Sequence, residues 1–411
     1  MANMVEVLDS IMGSGKTTAI LKWMKENCKE RFIYISPLLS EIEERLVESV
    51  PELGFVTPSS ELLTKSEDLI NLLRDGRNIG TTHALFKMMT SEHIKLIEQW
   101  EYVVIVDEEL EMIRPYSDYK PADFKWLYDK GALDVEEDHR LVWKDTEMPD
   151  GTRYHPIRAL CNIGLLYAAK RDCHMVTIQL PTNLITCAKR VIVLSYLFEG
   201  SVFDMFLKMK GIETVRFSEV DHLLKTVSKD DLRKLITFVG DDQAAKVVKQ
   251  ERGNTYSSNW YKSSTSDLSA ISKYIRNVCR SEGAKAEDVM WTAKSDFVDS
   301  CSNSKRSVKP HGYYQYKENG EVKSCWVGCS AKATNEYREK SMLVHCYNRY
   351  PHLTLIAFMQ DCGYPLDERQ FALAEMLQWV WRSRIRDGKP IKLAILSKRM
   401  REIFKDWLYN D

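Results

Sequence analysis

Charge of one sign is what this sequence most plainly lacks: 58 Lys and Arg stand against 59 Asp and Glu, a net charge of −1 over 411 residues. A chain-wide basic character, the footprint of a protein that coats nucleic acid, is thereby excluded, and any basic surface has to be local. Long apolar runs are missing too. No stretch approaches the roughly 20 apolar residues of a membrane-spanning helix, and the first residues form no charged-then-apolar leader, so the sequence predicts a soluble, cytoplasmic protein with no membrane partner. The ten cysteines follow no regular spacing. Cys325 and Cys329, with Cys346 after His345, come nearest to a ligand pattern. No second closely spaced pair completes four ligands, which points to reduced, mostly buried thiols rather than a zinc centre. What is present, 44% hydrophobic residues, suffices for a large core shared between at least two domains.

The richest motif is Ser10-Ile11-Met12-Gly13-Ser14-Gly15-Lys16-Thr17-Thr18, between an apolar strand and a helical stretch running to Asn27. It has the chemistry of a phosphate-binding loop. Gly13 and Gly15 let the backbone around Ser14 turn its N–H groups toward an anion, Lys16 brings a point charge, and Thr17 offers a hydroxyl to Mg2+. The helix that opens at Thr18 aims its N-terminus at the same anion. ATP with Mg2+ is the ligand expected. Ser10 stands where such loops usually carry glycine.

The second motif is Val103-Val104-Ile105-Val106-Asp107-Glu108-Glu109. Four consecutive apolar residues mark a strand buried in a parallel sheet, whose C-terminal end opens into the ligand crevice of such folds. Asp107 is placed to hold Mg2+ through water, and Glu108 to polarise the attacking water.

Around these motifs the chain alternates strands and helices, the pattern of an α/β fold. Strands are expected at Val5 to Leu8, Arg31 to Ser36, Asn78 to Thr81, Tyr102 to Val106 and Arg190 to Ser195. Helices are expected at Leu39 to Ser49, Ser66 to Leu73 and His93 to Gln99. The alternation weakens between about 111 and 189, read as an insertion with helices at Asp123 to Lys130 and Pro156 to Lys170 and a strand at Met175 to Leu180. A second set follows: strands at Thr214 to Phe217, Val289 to Thr292, Ser324 to Val327, Thr354 to Phe358 and Ile391 to Leu396, and a helix at Glu368 to Arg382. The domains expected are 1–215, carrying the insertion, and 216–411.

These motifs resemble those of superfamily 2 DEAD/DEAH-like helicases, phage-encoded members above all. Gly13 to Thr17 and Asp107-Glu108-Glu109 resemble motifs I and II, although Leu110 stands where the group has Asp or His. Ser36-Pro37 resembles motif Ia, and Thr81-Thr82-His83 the strand-end residues that touch the nucleic-acid backbone. Ser195 matches only the serine of motif III. Lys332-Ala333-Thr334-Asn335 resembles motif V, and Gln378 with Arg382 and Arg384 motif VI, Arg386 being a further candidate finger. The resemblance implies two tandem RecA-like domains, catalytic roles for Glu108, Gln378, Arg382 and Arg384, and nucleic-acid contacts at Ser36, Pro37, Thr81, Thr82, His83, Thr334 and Asn335. It also implies ATP-driven movement along nucleic acid, DNA rather than RNA, alongside other replication or recombination proteins.

Nine basic residues from Arg382 to Lys405, against three acids up to Asp406, form the local basic stretch that the net charge conceals. Lys398, Arg399 and Arg401 are candidates for phosphate contacts within it, and a solvated helix face explains the same run. Asn319-Gly320, between a tyrosine-rich segment and Glu321-Val322-Lys323, predicts a hairpin. Two other functions use the same loop: an ATP-switched origin-binding or loader protein, and a small-molecule kinase, which leaves Gln378 and its paired arginines unexplained.

Overall fold

The buried run Val103 to Val106 forms the centre of a parallel sheet in the computed structural model, which describes residues 4–144, 149, 151–169, 172–263, 265–298, 306–329 and 335–410. The strands, in chain order, are β1 (Met4–Asp9), β2 (Phe32–Ser36), β3 (Ile79–Thr82), β4 (Val103–Asp107), β5 (Ile113–Pro115), β6 (Leu133–Val135), β7 (Leu141–Trp143), β8 (Leu166–Ala169), β9 (Asp172–Gln179), β10 (Arg190–Ser195) and β11 (Glu213–Arg216) in the first half of the chain. Among the described residues six of them make one sheet in the order β11-β1-β10-β4-β2-β3, every pair parallel.

Alternation along these strands feeds two cores. Phe32, Tyr34, Val103, Ile105, Ile192 and Leu194 face one side, beneath Ala19, Ile20, Trp23 and Met24 of the helix Lys16–Glu26. Ile33, Ile35, Val104, Val106, Val191 and Val193 face the other, with Phe203, Phe206 and Leu207 of the helix Val202–Met209. Each fully buried side chain of this kind contributes about 1.5–3 kcal/mol. Sequences buried on both faces read as continuous apolar runs, and for that reason β2, β4 and β10 were foreseeable.

The segment between β4 and β10 folds on its own small core. Strands β5, β9 and β8 form an antiparallel sheet beside the β6–β7 hairpin. Phe124 and Leu127 of the helix Pro121–Asp129, with Ile157 and Cys161 of the helix His155–Asn162, close over it. The helix expected at Pro156 to Lys170 is half as long, because Gly164 at φ +70 ends it and β8 follows.

Two compact units emerge: one of Met1–Ser10, Gly15–Leu224 and Pro351–Asp367, the other of Ile11–Ser14, Lys225–Tyr350 and Glu368–Asp411. Two expectations are corrected within the first. Thr214 to Phe217 does not open a second sheet: β11 pairs with β1, register Val5 to Thr214. Thr354 to Phe358 is not a strand but part of the helix Leu353–Asp361. Leu355, Phe358 and Met359 are its buried apolar residues, a helical spacing, and His352 caps it by accepting from Thr354 N at 3.2 Å. Phe358 packs its ring against Tyr167 and His139, and Asp361 lies 3.6 Å from His139 Nδ1.

The second unit is built on β12 (Ile236–Phe238), β13 (Val289–Thr292), β16 (Met342–His345) and β17 (Ile391–Ile395), a parallel sheet in the order β12-β17-β16-β13, with β14 (Gln315–Glu318) and β15 (Glu321–Ser324) as the hairpin around Asn319-Gly320. The strand expected at Ser324 to Val327 is displaced: β15 ends at Ser324, and Trp326 makes an isolated bridge to Trp291. Ile271, Tyr274, Ile275 and Val278 of the helix Leu268–Ser281 pack over Trp291, Val344 and Ala394. The fold class is α/β with two parallel-sheet units.

Candidate phosphate and metal site

The loop after β1 adopts the conformation its glycines permit. Gly13 has φ +82 and Gly15 φ +89, backbone that residues with a side chain rarely adopt. A Cβ on Gly15 would meet nothing within 4 Å, so its requirement is conformational rather than spatial. Gly15 is the left-handed N-cap of the helix Lys16–Glu26, and no side chain of the described residues caps that end. Ser14, wholly buried, donates its N–H to Ile11 O at 3.2 Å. Thr17 and Thr18 stand in the first turn, Thr18 exposed.

Lys16 Nζ donates to Ser10 O. Burial pushes its ammonium down to about 8, against the raising influence of Asp107, Asp9 and Glu108. Three carboxylates at the C-terminal ends of β1 and β4 therefore act on one desolvated cation. Asp107 is buried, continues the face of Val103 and Ile105, and accepts from Tyr34 Oη at 2.8 Å on Oδ2. Glu108 has φ +65, a left-handed conformation that costs a glutamate about 1–3 kcal/mol, and its N–H donates to Leu194 O at 3.2 Å.

The neighbouring end of β10 belongs to the same group. Ser195 donates its hydroxyl to Glu109 Oε1 at 2.6 Å, while its carbonyl accepts from Ser10 N at 3.0 Å. Burial pushes Glu109 up to about 7, opposed by hydrogen bonds from Ser195 and Ser201. Asp9 receives the N–H groups of Leu197 and Phe198 at 2.9 and 3.1 Å. Chemically the arrangement offers an ammonium and a helix N-terminus to an anion, and carboxylate and hydroxyl oxygens to a hard cation.

Of the candidate finger segment, Arg386 comes to the loop: a Cβ on Gly13 would lie 3.6 Å from its carbonyl oxygen and 3.7 Å from Trp381 Nε1. Several other residues named from the sequence have partners of their own. Ser36 and Thr81 are buried, as is Pro37; Ser36 donates to Glu41 at 3.0 Å, and Thr82 caps the next helical turn by accepting from Leu85 N. His83 Nε2 meets Asp107 O at 2.9 Å, tying the end of β3 to the end of β4. Gln378 is exposed on the helix Glu368–Val380 of the second unit. Arg382 and Arg384 follow beyond its end, Arg382 buried and Arg384 donating to Pro390 O at 2.5 Å. Lys332, Ala333 and Thr334 lie outside the described residues, and Asn335 begins a short turn. Lys398 is exposed. The guanidinium of Arg399 reaches Asn348 Oδ1, Arg349 O and Glu368 O, each at 2.9 Å, and lies over the Tyr350 ring at 4.0 Å. Arg401 donates to Ile395 O and Leu396 O.

Tyr34, Asp9 and Glu109 were missed as site residues. Each had a signal: a hydroxyl inside an apolar strand, an acid at the end of β1, and a second glutamate after Asp107-Glu108. The cysteine pattern behaves otherwise than a ligand set. Cys329 and His345 sit 3.8 Å apart, wholly buried, with the thiol pushed up to about 11 and the imidazole down to about 3 by desolvation. Among the described residues no group of three or more His, Cys, Asp and Glu could hold a metal ion by those side chains alone.

Residues 230–408 match the family described as the YonV C-terminal Rossmann-like domain. Over 434 aligned residues the chain is 30% identical to the SPbeta prophage-derived uncharacterized protein YonV of Bacillus subtilis (strain 168), with 99% of each covered. The chain belongs to the YonV family. Among solved structures, this YonV-family chain is similar to apo XPD, with a TM-score of 0.56 at 12% identity over 99% of this chain and 95% of the other. It is also similar to Xpd4 of S. tokodaii, with a TM-score of 0.50 at 13% identity over 98% and 94%. At such identities the likeness shows the fold, which is helicase-like. No helix among the described residues is long and apolar enough to cross a membrane.

Proposed function

We propose that this chain is an ATP-dependent motor on nucleic acid, a helicase or translocase of the superfamily 2 DEAD/DEAH-like type. The observation that carries the reading is Lys16, desolvated where β1 and β4 end and facing Asp107, Asp9 and Glu108. A partly desolvated ammonium under the influence of three carboxylates, beside two left-handed glycines in the chain, fits a triphosphate with its Mg2+ better than it fits a structural ion pair. The helicase-like fold supports the same conclusion.

In this reading the N–H groups from Gly13 to Thr18 and the Lys16 ammonium bind the ATP phosphates. The Thr17 hydroxyl and the Asp107 carboxylate hold Mg2+, which when bound neutralises phosphate charge. Glu108 orients and deprotonates the attacking water, its strained backbone keeping the carboxylate at the strand end. Gln378, Arg382 and Arg384 keep the catalytic roles that the motif resemblance gives them. Thr82, Thr334, Asn335 and Lys398 are the assigned contacts to the nucleic-acid backbone; Ser36, Pro37, Thr81 and His83 are buried and Arg399 is committed to Asn348, Arg349 and Glu368, which removes these five from that role. The YonV relative is prophage-derived, which favours DNA over RNA and a role in phage replication or recombination.

The test is strand displacement from a tailed DNA duplex and from a tailed RNA duplex, with ATP, comparing the parent with Glu108→Gln. ATP-dependent displacement by the parent alone is expected. Hydrolysis stimulated by nucleic acid without displacement would favour a translocase or loader. Phosphate transfer to a small acceptor, with no effect of nucleic acid, would make the chain a kinase.

A further inference from the structure

We infer that Trp126 is a stacking platform for a base of single-stranded DNA. The inference rests on the nucleic-acid reading proposed above and adds a contact that no motif carries. The helix Pro121–Asp129 turns Phe124 and Leu127, three residues apart, into the small core of the segment between β4 and β10. Trp126 lies off that stripe and stays 48% exposed. Of the ten tryptophans it alone is exposed; the others are buried or half-buried.

The ring is outside the core, yet its position is fixed. Tyr154 stacks against it with centroids 5.8 Å apart and planes at 25°, and the Arg153 guanidinium lies over the same Tyr154 ring at 4.6 Å. Asp123 holds both supports: it accepts from Tyr154 Oη at 3.3 Å and pairs with Arg153, whose carbonyl accepts from Tyr119 Oη. Tyr154 covers part of the indole, and the rest faces solvent. A base is a flat π-system that stacks on an aromatic ring whatever its identity, and a ring already held in place spends little conformational entropy on the contact. An extended single strand presents such faces, whereas a duplex keeps them between neighbouring pairs. Charge agrees in sign. Along 120–130, with Arg153, four cations (Lys120, Lys125, Lys130, Arg153) stand against two carboxylates (Asp123, Asp129). The Lys125–Asp129 pair, 3.2 Å apart on the exposed face, costs little to open toward a phosphate.

The experiment is fluorescence-anisotropy binding of three labelled ligands to the full chain: an oligothymidylate strand, an abasic strand of the same length, and a blunt duplex. The proteins compared are the parent, Trp126→Ala and Trp126→Phe. Trp126→Ala is expected to bind the oligothymidylate about tenfold more weakly, with an unchanged slope of log affinity against log salt, because no phosphate contact is lost. Trp126→Phe keeps a ring and is expected to keep most of the affinity. On the abasic strand and on the duplex, Trp126→Ala is expected to match the parent. Equal affinity of Trp126→Ala and the parent for the oligothymidylate overturns the inference. So does an equal loss on all three ligands, the result of a merely structural indole. A parent that binds none of the three refutes the nucleic-acid reading itself, and the inference with it.

Discussion

The desolvated Lys16 makes ATP binding a proton-linked reaction in a defined direction. Burial holds its ammonium at about 8 in the nucleotide-free protein, below the ordinary 10.5. A triphosphate beside it favours the charged form, so the bound state keeps its proton to higher pH. Above pH 8 the free protein has lost the proton and the complex has not, and binding must take one up. At about pH 9 only about a tenth of the free protein carries the charge, so uptake approaches one proton per ATP, and affinity falls about tenfold, or about 1.4 kcal/mol, for each further pH unit. Below about pH 7 both states are almost wholly charged and this group gives little uptake. The assay is titration calorimetry in two buffers of different ionisation enthalpy, from about pH 7.5 to about 9.5. Lys16→Arg, which keeps its charge throughout, is expected to bind without proton uptake and without the pH slope. Parent affinity that stays flat over this range, with no proton taken up, would refute the placement of Lys16 at the phosphates.

Three further outcomes follow from packing. His345 is buried neutral with its imidazole at about 3. Between its unfolded value near 6.5 and that limit only the unfolded chain binds the proton, so stability falls with acidification by about 1.4 kcal/mol per pH unit. Denaturant midpoints of His345→Asn should show a shallower acid slope than the parent. Arg399→Ala removes three internal hydrogen bonds and a ring contact, and should lower stability by about 2–4 kcal/mol while the folded protein keeps its nucleic-acid affinity. The reverse pattern would make Arg399 a phosphate contact. Phe358→Ala leaves a cavity where the helix Leu353–Asp361 meets Tyr167 and His139, and urea unfolding should show about 3–5 kcal/mol lost.

The strands and the phosphate loop were legible because their signals are local. Val103 to Val106 is apolar at every position since both sheet faces are covered, and the glycines at 13 and 15 mark left-handed backbone wherever such a loop occurs. The segment Thr354 to Phe358 misled because its residues also suit a strand. What decided it was the spacing of Leu355, Phe358 and Met359 against the insertion, together with a cap at His352. The link from Tyr34 to Asp107 spans 73 residues and exists only because β2 lies beside β4, an order that no local pattern encodes. Arg399 shows the converse. Within a basic run it reads as a phosphate contact, whereas its partners, Asn348, Arg349 and Glu368, come from distant parts of the chain.

The most direct test of an ATP-driven motor is the steady-state rate of ATP hydrolysis with and without single-stranded DNA, RNA or duplex, for the parent, Lys16→Ala and Glu108→Gln. The parent is expected to hydrolyse ATP faster with at least one nucleic acid, DNA above RNA. Lys16→Ala should lose binding and turnover together, and Glu108→Gln should bind ATP but turn it over at least about a hundredfold more slowly. A parent rate indifferent to every nucleic acid, or a Glu108→Gln rate equal to the parent's, would contradict the account.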